Sequence, residues 1–569
     1  MSSTNENVTC QNCKSPFTID ERDALYYTKI NVPHPAWCPE CRLRRRISNI
    51  NSFSVFWRNC DLCGKKTLSM YPQSQKITVY CQPCWWGDTW DGTEYAMDYD
   101  PNCNFLEQVK ELSDKTPYCA LETTYLTLKD CDYCNSIAYS KNCVLAGWSD
   151  YCENVCYSSF NNGMKDTSDC LRMQDSELCY ESIGQNKSYR VRYSEECDSC
   201  TDVMFSRNCY GCTNCIGCVN LRGASYNIFN VKYSKEDYDA KVKEMRLDTR
   251  SGIKKVKAEA EKFWKTLPYR AYSGNTFNLN TTGEYVYNSK NSSELYITNG
   301  AEDCRYAQFG TVAPVRDCVD YSGWGNNANL QYECANVGDN VSNCKFSYYC
   351  FPDVLNTEYS MWSIAGKNNF GCVNLKRKQY AILNKVYDKE TYEKLRAQIV
   401  DDMNKNPYTD KLGRKYAYGE FFPPEFGKFS YNYSNAMKFF PRTKEEIEKE
   451  GMFWYEEPDA DIAPTIAGKD LPETLNEMGN KATDEVISCV KCDKRYKLLQ
   501  LEYTILQRLN IPVPEECPRC RDAARFARIN PPVFYNRTCA KCENAVVTAF
   551  APDRPEIIYC EKCYQGEFA

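Results

Sequence analysis

Sixteen cysteines stand in eight C-x₂-C pairs, and their spacing is the strongest chemical signal in the chain. At the front they are Cys10/Cys13, Cys38/Cys41, Cys60/Cys63 and Cys81/Cys84. At the back they are Cys489/Cys492, Cys517/Cys520, Cys539/Cys542 and Cys560/Cys563. Two thiolates in one tight turn occupy two vertices of a tetrahedron, and a second turn brought in by a hairpin completes a Cys₄ set around zinc or a similar thiophilic ion. About four structural zinc ions are therefore expected. Closed Cys₄ sets leave no open position for water, so the metal is expected to hold the fold and to perform no chemistry. Spacing leaves the pairing open: sequential closure joins first to second and third to fourth, whereas a cross-brace joins first to third.

The two ends are copies of each other. The shift that carries Cys10 to Cys489 carries every other front cysteine onto a back one, together with Asn31 to Asn510, Asn51 to Asn530 and Tyr80 to Tyr559. Such register is an internal duplication. Arginines travel with it: Arg42, Arg46 and Arg58 align with Arg521, Arg525 and Arg537. If the segment after the second knuckle is helical, Arg42 and Arg46 share a face. That face reads as a nucleic-acid contact, with Phe53, Trp57 and Tyr535 to stack on bases. The competing reading is local: the arginines cap knuckle carbonyls or pair with acids such as Glu40 and Asp522. The front hundred residues hold eleven acidic and eleven basic side chains, so bulk charge does not favour a polyanion.

Between the ends the rhythm changes. Cys134, Cys143, Cys152, Cys170, Cys179 and Cys197 fall on a nine-residue grid, with Asn161 and Ser188 in its gaps, and Cys200, Cys209 and Cys218 continue in a phase shifted by three. A nine-residue period suits neither a heptad nor a helical pair. It suits a β-solenoid whose stacked coils line up equivalent side chains, with cysteine as a small, readily buried residue. Cys209, Cys212, Cys215 and Cys218 approach ferredoxin spacing, but the last gap is two rather than three and no Cys-Pro comes after it. Spacing alone leaves open whether they bind metal. "GCVNLRGASYNIFNVKYSKEDY" at 217–238 matches "GCVNLKRKQYAILNKVYDKETY" at 371–392, so the solenoid is also doubled, and the second copy keeps only six cysteines from Cys304 to Cys372.

The fold class expected is mainly β and multidomain. It places a tandem zinc-ribbon, treble-clef-like module at 1–100, a first solenoid at 101–233, a charged helix at 234–267 capped by Ser234, and a second solenoid at 268–387. A helix capped by Asp388 with an aromatic, proline-rich extension occupies 388–455, then come an acidic linker at 456–487 and a second module at 488–569. The segments "VPHPAWCPECRLRRR", "CDLCGKKTLSMYPQSQKITVYCQPCWW", "SELCYES" and "GCVNL…YNIFN…YSKEDY" resemble a family of cysteine-rich zinc-ribbon and β-solenoid proteins from uncultured, small-genome bacteria of the candidate phyla radiation type. The resemblance spans essentially the whole chain and implies this architecture without implying an activity or catalytic residues.

The single histidine, His34, lies between prolines and reads as a solvent-facing turn residue. With no nucleophile–base set, phosphate loop or open metal triad, the sequence favours a scaffold over an enzyme. A metal or thiol reservoir is the other alternative, resting on 21 cysteines outside the knuckles. Thirty-seven cysteines and no signal-peptide pattern point to a reducing, cytoplasmic setting. The expected partner is nucleic acid or protein, with no membrane and no small-molecule substrate.

Overall fold

In a computed structural model, described for residues 5–274, 277–458 and 462–568, the middle of the chain forms two parallel ladders, at 123–228 and 274–382. The first four residues, and 459–461 of the expected linker, lie outside this description. In ladder 1, from Lys129 on, the strands pair at a twelve-residue offset: Lys141 lies opposite Glu153, which lies opposite Lys165. In ladder 2 the offset widens where residues are inserted: Gly283 meets Leu295, Arg305 meets Val319 and Ser342 meets Leu355.

The nine-residue rhythm is thus a shadow of a shorter one. From Asp130 to Phe229, non-glycine residues with φ between 46° and 60° recur in steps of three. Each triplet holds one residue that bridges the neighbouring strand, one left-handed residue that turns the corner, and one side chain that points inward. Left-handed backbone costs an L-residue about 1–2 kcal/mol. It persists because both other demands on the backbone are met: Lys141 donates its N–H to Cys152 O (2.9 Å) and Asn142 donates to Lys129 O (2.8 Å). Twelve residues make four triplets, so a step of nine moves an inward cysteine to a different side of the next turn.

Cysteine and serine interchange at the inward position because both donate to the carbonyl two residues back, Cys143 to Lys141 O (3.4 Å) and Ser140 to Ala138 O (2.8 Å). Ser140 also accepts the N–H of Cys152, twelve residues on (3.0 Å). Cys152→Ser is therefore expected to change stability by no more than about 1 kcal/mol. Cys152→Leu should cost about 1–3 kcal/mol through overpacking. Urea midpoints compare the two, and a serine variant as damaged as the leucine one would refute this account of the triplet.

Both ladders end alike. A short antiparallel turn pairs Asn227 with Lys232 in one and Ala381 with Val386 in the other. Asn230 and Asn384 accept the N–H groups of Val219 (2.8 Å) and Val373 (2.9 Å), closing the last turn.

Among the helices that pack on or beside the ladders are α1 (Pro39–Ile47), α2 (Lys235–Glu244), α3 (Arg250–Trp264), α4 (Lys389–Lys405) and α5 (Pro518–Arg528). Ser234 and Asp388 cap α2 and α4, as their positions predicted. The charged stretch after Ser234 is two helices rather than one, broken between Glu244 and Arg250. The segment read as a linker carries ordered structure: strand Ile466–Ala467 pairs in parallel with Ile487–Ser488. Helix (25%) and strand (27%) are nearly balanced, which corrects the mainly-β expectation. Helices in the modules and on the ladder flanks supply the difference, and many ladder pairings are single bridges rather than strands.

Each ladder has its own interior core. Two outer cores join the parts crosswise: the front module packs with ladder 2, and the back module packs with ladder 1. The aromatic side chains of Phe53 and Phe526 from the two modules, Phe160 from ladder 1, Phe309 from ladder 2 and Phe439 meet at the centre, with neighbouring ring centroids 5.2–6.5 Å apart. Between the ladders, Glu122 is buried and accepts hydrogen bonds from Ser136 (2.8 Å) and from Asn336 of ladder 2. Burial pushes its carboxyl up to about 8.

The folded chain therefore holds a proton on Glu122 that the unfolded chain releases near pH 4.5. The native state binds the extra proton, so this stabilisation is complete at acid pH and is lost as pH rises through 8. Glu122→Gln is expected to flatten that part of the stability–pH profile. A slope unchanged in the variant would assign it elsewhere.

Candidate metal centres

The eight knuckles close sequentially into four Cys₄ sets: Cys10, Cys13, Cys38 and Cys41; Cys60, Cys63, Cys81 and Cys84; Cys489, Cys492, Cys517 and Cys520; Cys539, Cys542, Cys560 and Cys563. Within each set all sulfurs lie within 4.8 Å of one another, which settles the pairing against a cross-brace. Zinc–sulfur bonds of about 2.3 Å in a tetrahedron require sulfurs about 3.8 Å apart. Adjacent pairs meet that requirement: Cys13–Cys38 at 3.8 Å, Cys63–Cys81 at 3.9 Å, and Cys492–Cys517 and Cys542–Cys560 at 3.7 Å.

One local design builds all four. The first knuckle of each set is a hairpin turn that needs a left-handed residue just past its second cysteine: Lys14, Gly64, Asp493 and Glu543. The N–H of that residue returns to the carbonyl of the first cysteine, as from Gly64 to Cys60 O (2.9 Å). The second knuckle opens a helix. Cys38 and Cys517 are the N-caps of α1 and α5, and proline comes next in each, where a missing N–H is harmless.

The thiolates are held in the same way throughout. The N–H groups of Cys38, Cys81, Cys517 and Cys560 donate to the sulfurs of Cys10, Cys60, Cys489 and Cys539, each at 3.2 Å. Burial pushes the Cys539 thiol up, but the N–H groups of Cys560, Cys542 and Lys541 outweigh it and hold the thiol at about 6. Cys489 is likewise held at about 7 by Cys517, Lys491 and Cys492 N–H groups acting against burial. A low thiol pKa favours the thiolate that a metal needs. The first cysteine of each set is buried and the second is exposed, so each site is sealed from one side only.

The arginines do not present the face the sequence suggested. Arg42 reaches Asp320 at 2.7 Å, and Arg46 reaches Asp320 and Glu333, each at 3.1 Å, with both arginine side chains at most 1% exposed. Arg45 joins Glu333 (2.9 Å) to Glu420 (3.3 Å), and Arg44 forks onto Glu450. At the other end Arg521 and Arg525 share Asp169 at 3.0 and 2.6 Å, and Arg521 also takes Glu502 (2.7 Å). Arg58 turns inward to Asp61 and Ile77 O, and Arg537 donates to Ala551 O and Glu556 O. The expectation that Arg42, Arg46, Arg58, Arg521, Arg525 and Arg537 meet a nucleic acid is therefore corrected. Five of the six are buried, and all six are engaged within the chain. Phe53 packs in the central aromatic group, while Trp57 is half-exposed and donates its N–H to Tyr133 (2.8 Å).

The local-pairing alternative holds in part: Arg42 donates to Trp37 O (2.6 Å), Arg58 pairs with Asp61 (3.0 Å) and Arg525 lies 3.6 Å from Asp522. The nearest carboxylates of Arg42, Arg46 and Arg525, however, are remote in sequence. Asp169 and Asp320 occupy left-handed corners of the two ladders, positions an aspartate tolerates readily. Two acids in matching roles on the two ladders were the available signal, hidden by the unequal insertions in ladder 2. His34 pairs with Glu6 at 2.6 Å in a half-exposed position, consistent with its turn setting. Among the described residues no helix is long and apolar enough to cross a membrane.

No family model, curated protein or solved structure matches this chain.

Proposed function

We propose that this chain is a zinc-stabilised structural scaffold: two β-solenoids held together crosswise by treble-clef-like zinc-ribbon modules. One observation carries the reading. In each module the helix that begins at a metal-site cysteine drives two arginines onto a single buried aspartate of the ladder nearer the other end of the chain. Metal, helix and ladder are thus mechanically one unit, and the four Cys₄ sets serve joints rather than a reaction. With 37 thiols to keep reduced, the chain would work in a reducing compartment such as the cytoplasm. It would fit the small-genome bacterial family it resembles.

The scaffold would offer its partner the exposed flanks of the ladders, where side chains such as Tyr139 and Tyr151 stack at 4.9 Å. Since the module arginines are occupied, the partner is expected to be a protein. Ultraviolet crosslinking of the tagged chain in cells, with and without nuclease, tests this together with zinc analysis. Four zinc ions per chain and co-purifying protein without crosslinked nucleic acid support the proposal. Far fewer ions, or a nucleic-acid crosslink lost in an Arg42/Arg46/Arg521/Arg525→Ala variant, would overturn it.

A further inference from the structure

Cysteine fills the interior of ladder 1 far more densely than packing requires. Eleven of its eighteen buried apolar side chains are cysteines and two more are methionines. In ladder 2, whose triplets make the same turn, five of fifteen are cysteines and the others are mostly valine and alanine. The excess gathers in the last turns before the closing hairpin. Cys209, Cys212, Cys215 and Cys218 take the four successive inward positions of one turn, and Cys197 and Cys200 sit directly above the first two in the turn before. All six are at most 1% exposed.

Register stacks Cys197 on Cys209 and Cys200 on Cys212 across neighbouring turns, about 4.8 Å apart. Each thiol donates to the carbonyl two residues back, as Cys200 to Asp198 O (3.3 Å) and Cys212 to Tyr210 O (3.5 Å), so no stronger partner competes for the sulfurs. The other inward side chains above and below them are Val203, Ser206, Leu221, Ala224 and Asn227, none of them charged. The geometry selects against zinc. Among the described residues, only the four terminal sets bring three or more ligand atoms within 4.8 Å of one another. Charge selects against it too, because zinc with four thiolates is a dianion and an uncompensated charge in a dry interior is costly. A monovalent d¹⁰ ion has neither difficulty. It binds two sulfurs, and soft thiolates are its preferred ligands. Held by one thiolate and one neighbouring thiol, it is neutral and releases a single proton.

We propose that Cys197, Cys200, Cys209, Cys212, Cys215 and Cys218 form a second kind of metal site, which takes copper(I) between pairs of thiols inside ladder 1. No sulfur of the set reaches the surface, so the ion enters while the turns close, and loading belongs in the cell during synthesis.

The test expresses the full chain in copper-supplemented cells, washes it with a copper(I) chelator, and measures copper and zinc separately by mass spectrometry. The wild type is expected to retain at least one copper beyond an unchanged zinc content, with the luminescence of solvent-shielded copper(I)–thiolate. A Cys212→Ser/Cys215→Ser variant should lose most of that copper and the luminescence while keeping its zinc. Serine already fills inward positions nearby at Ser188, Ser194 and Ser206, so the variant is expected to fold. X-ray absorption on the wild type gives an independent reading: two sulfur ligands support the site, whereas nitrogen or four-sulfur coordination refutes it. Copper gained only at the expense of zinc, copper kept by the variant, or no copper surviving the chelator would each overturn the proposal.

Discussion

Removing the metal from the intact chain is expected to dismantle both modules and, with them, the join between the two ladders. Structural Cys₄ zinc contributes apparent folding free energies of about 10–16 kcal/mol in small zinc peptides. The helix α1 is nine residues long, too short to persist without a fixed N-terminus, and that terminus is Cys38. When α1 frays, Arg42, Arg45 and Arg46 leave Asp320 and Glu333, and two carboxylates stay behind in a site from which water had been excluded. Circular dichroism melting with and without chelator should show a large fall in the transition temperature, restored by zinc. An undiminished transition after complete zinc loss would refute the structural role of the sites. Cys41→Ser should be more damaging than Cys84→Ser, because the set containing Cys41 positions the arginine helix, whereas the short helix after Cys81 brings Trp85 against Trp362.

The second large effect belongs to the shared aspartates. Asp320→Ala takes from Arg42 its 2.7 Å partner and leaves Arg46 with Glu333, and Asp169→Ala takes from Arg525 its 2.6 Å partner and leaves Arg521 with Glu502, all four arginines being buried. Breaking a buried pair from one side costs about 3–5 kcal/mol, since the remaining charge has lost its partner and has no water. Each variant is therefore expected to lose that much, by urea unfolding of the zinc-loaded chain. The two losses should add, because the aspartates serve different modules. Replacing Asp169 and Glu502 together with Arg521 and Arg525 by apolar residues of similar volume should recover much of the loss. A loss below about 1 kcal/mol for either single variant would mean that Glu333 and Glu502, which already pair with Arg46 and Arg521, hold the arginines unaided.

Much of this protein is legible without coordinates. Ligand identity and the four-set arithmetic come from C-x₂-C spacing, because two thiolates in a turn have few other uses. The duplication comes from register. The capping roles of Ser234 and Asp388 come from side-chain chemistry within three residues. The knuckle pairing stays open in the sequence because sequential and crossed closures demand the same cysteines. The true period of the middle is hidden because cysteine and serine share one hydrogen-bonding role. The residues that stand out by type mark only some of the inward positions, and the left-handed corners, which any of Asp, Asn, Tyr or Arg fills here, carry no composition of their own.

By itself the amino-acid sequence determined what is local: which cysteines can share an ion, where helices start, and that each end and each middle half is a copy. Tertiary structure alone decided what the arginines are for. A guanidinium near a knuckle reads the same whether it faces solvent or a carboxylate hundreds of residues away. Asp320 and Asp169 become its partners only when the ladders turn those corners toward the opposite modules, where exclusion of water makes the pairing compulsory.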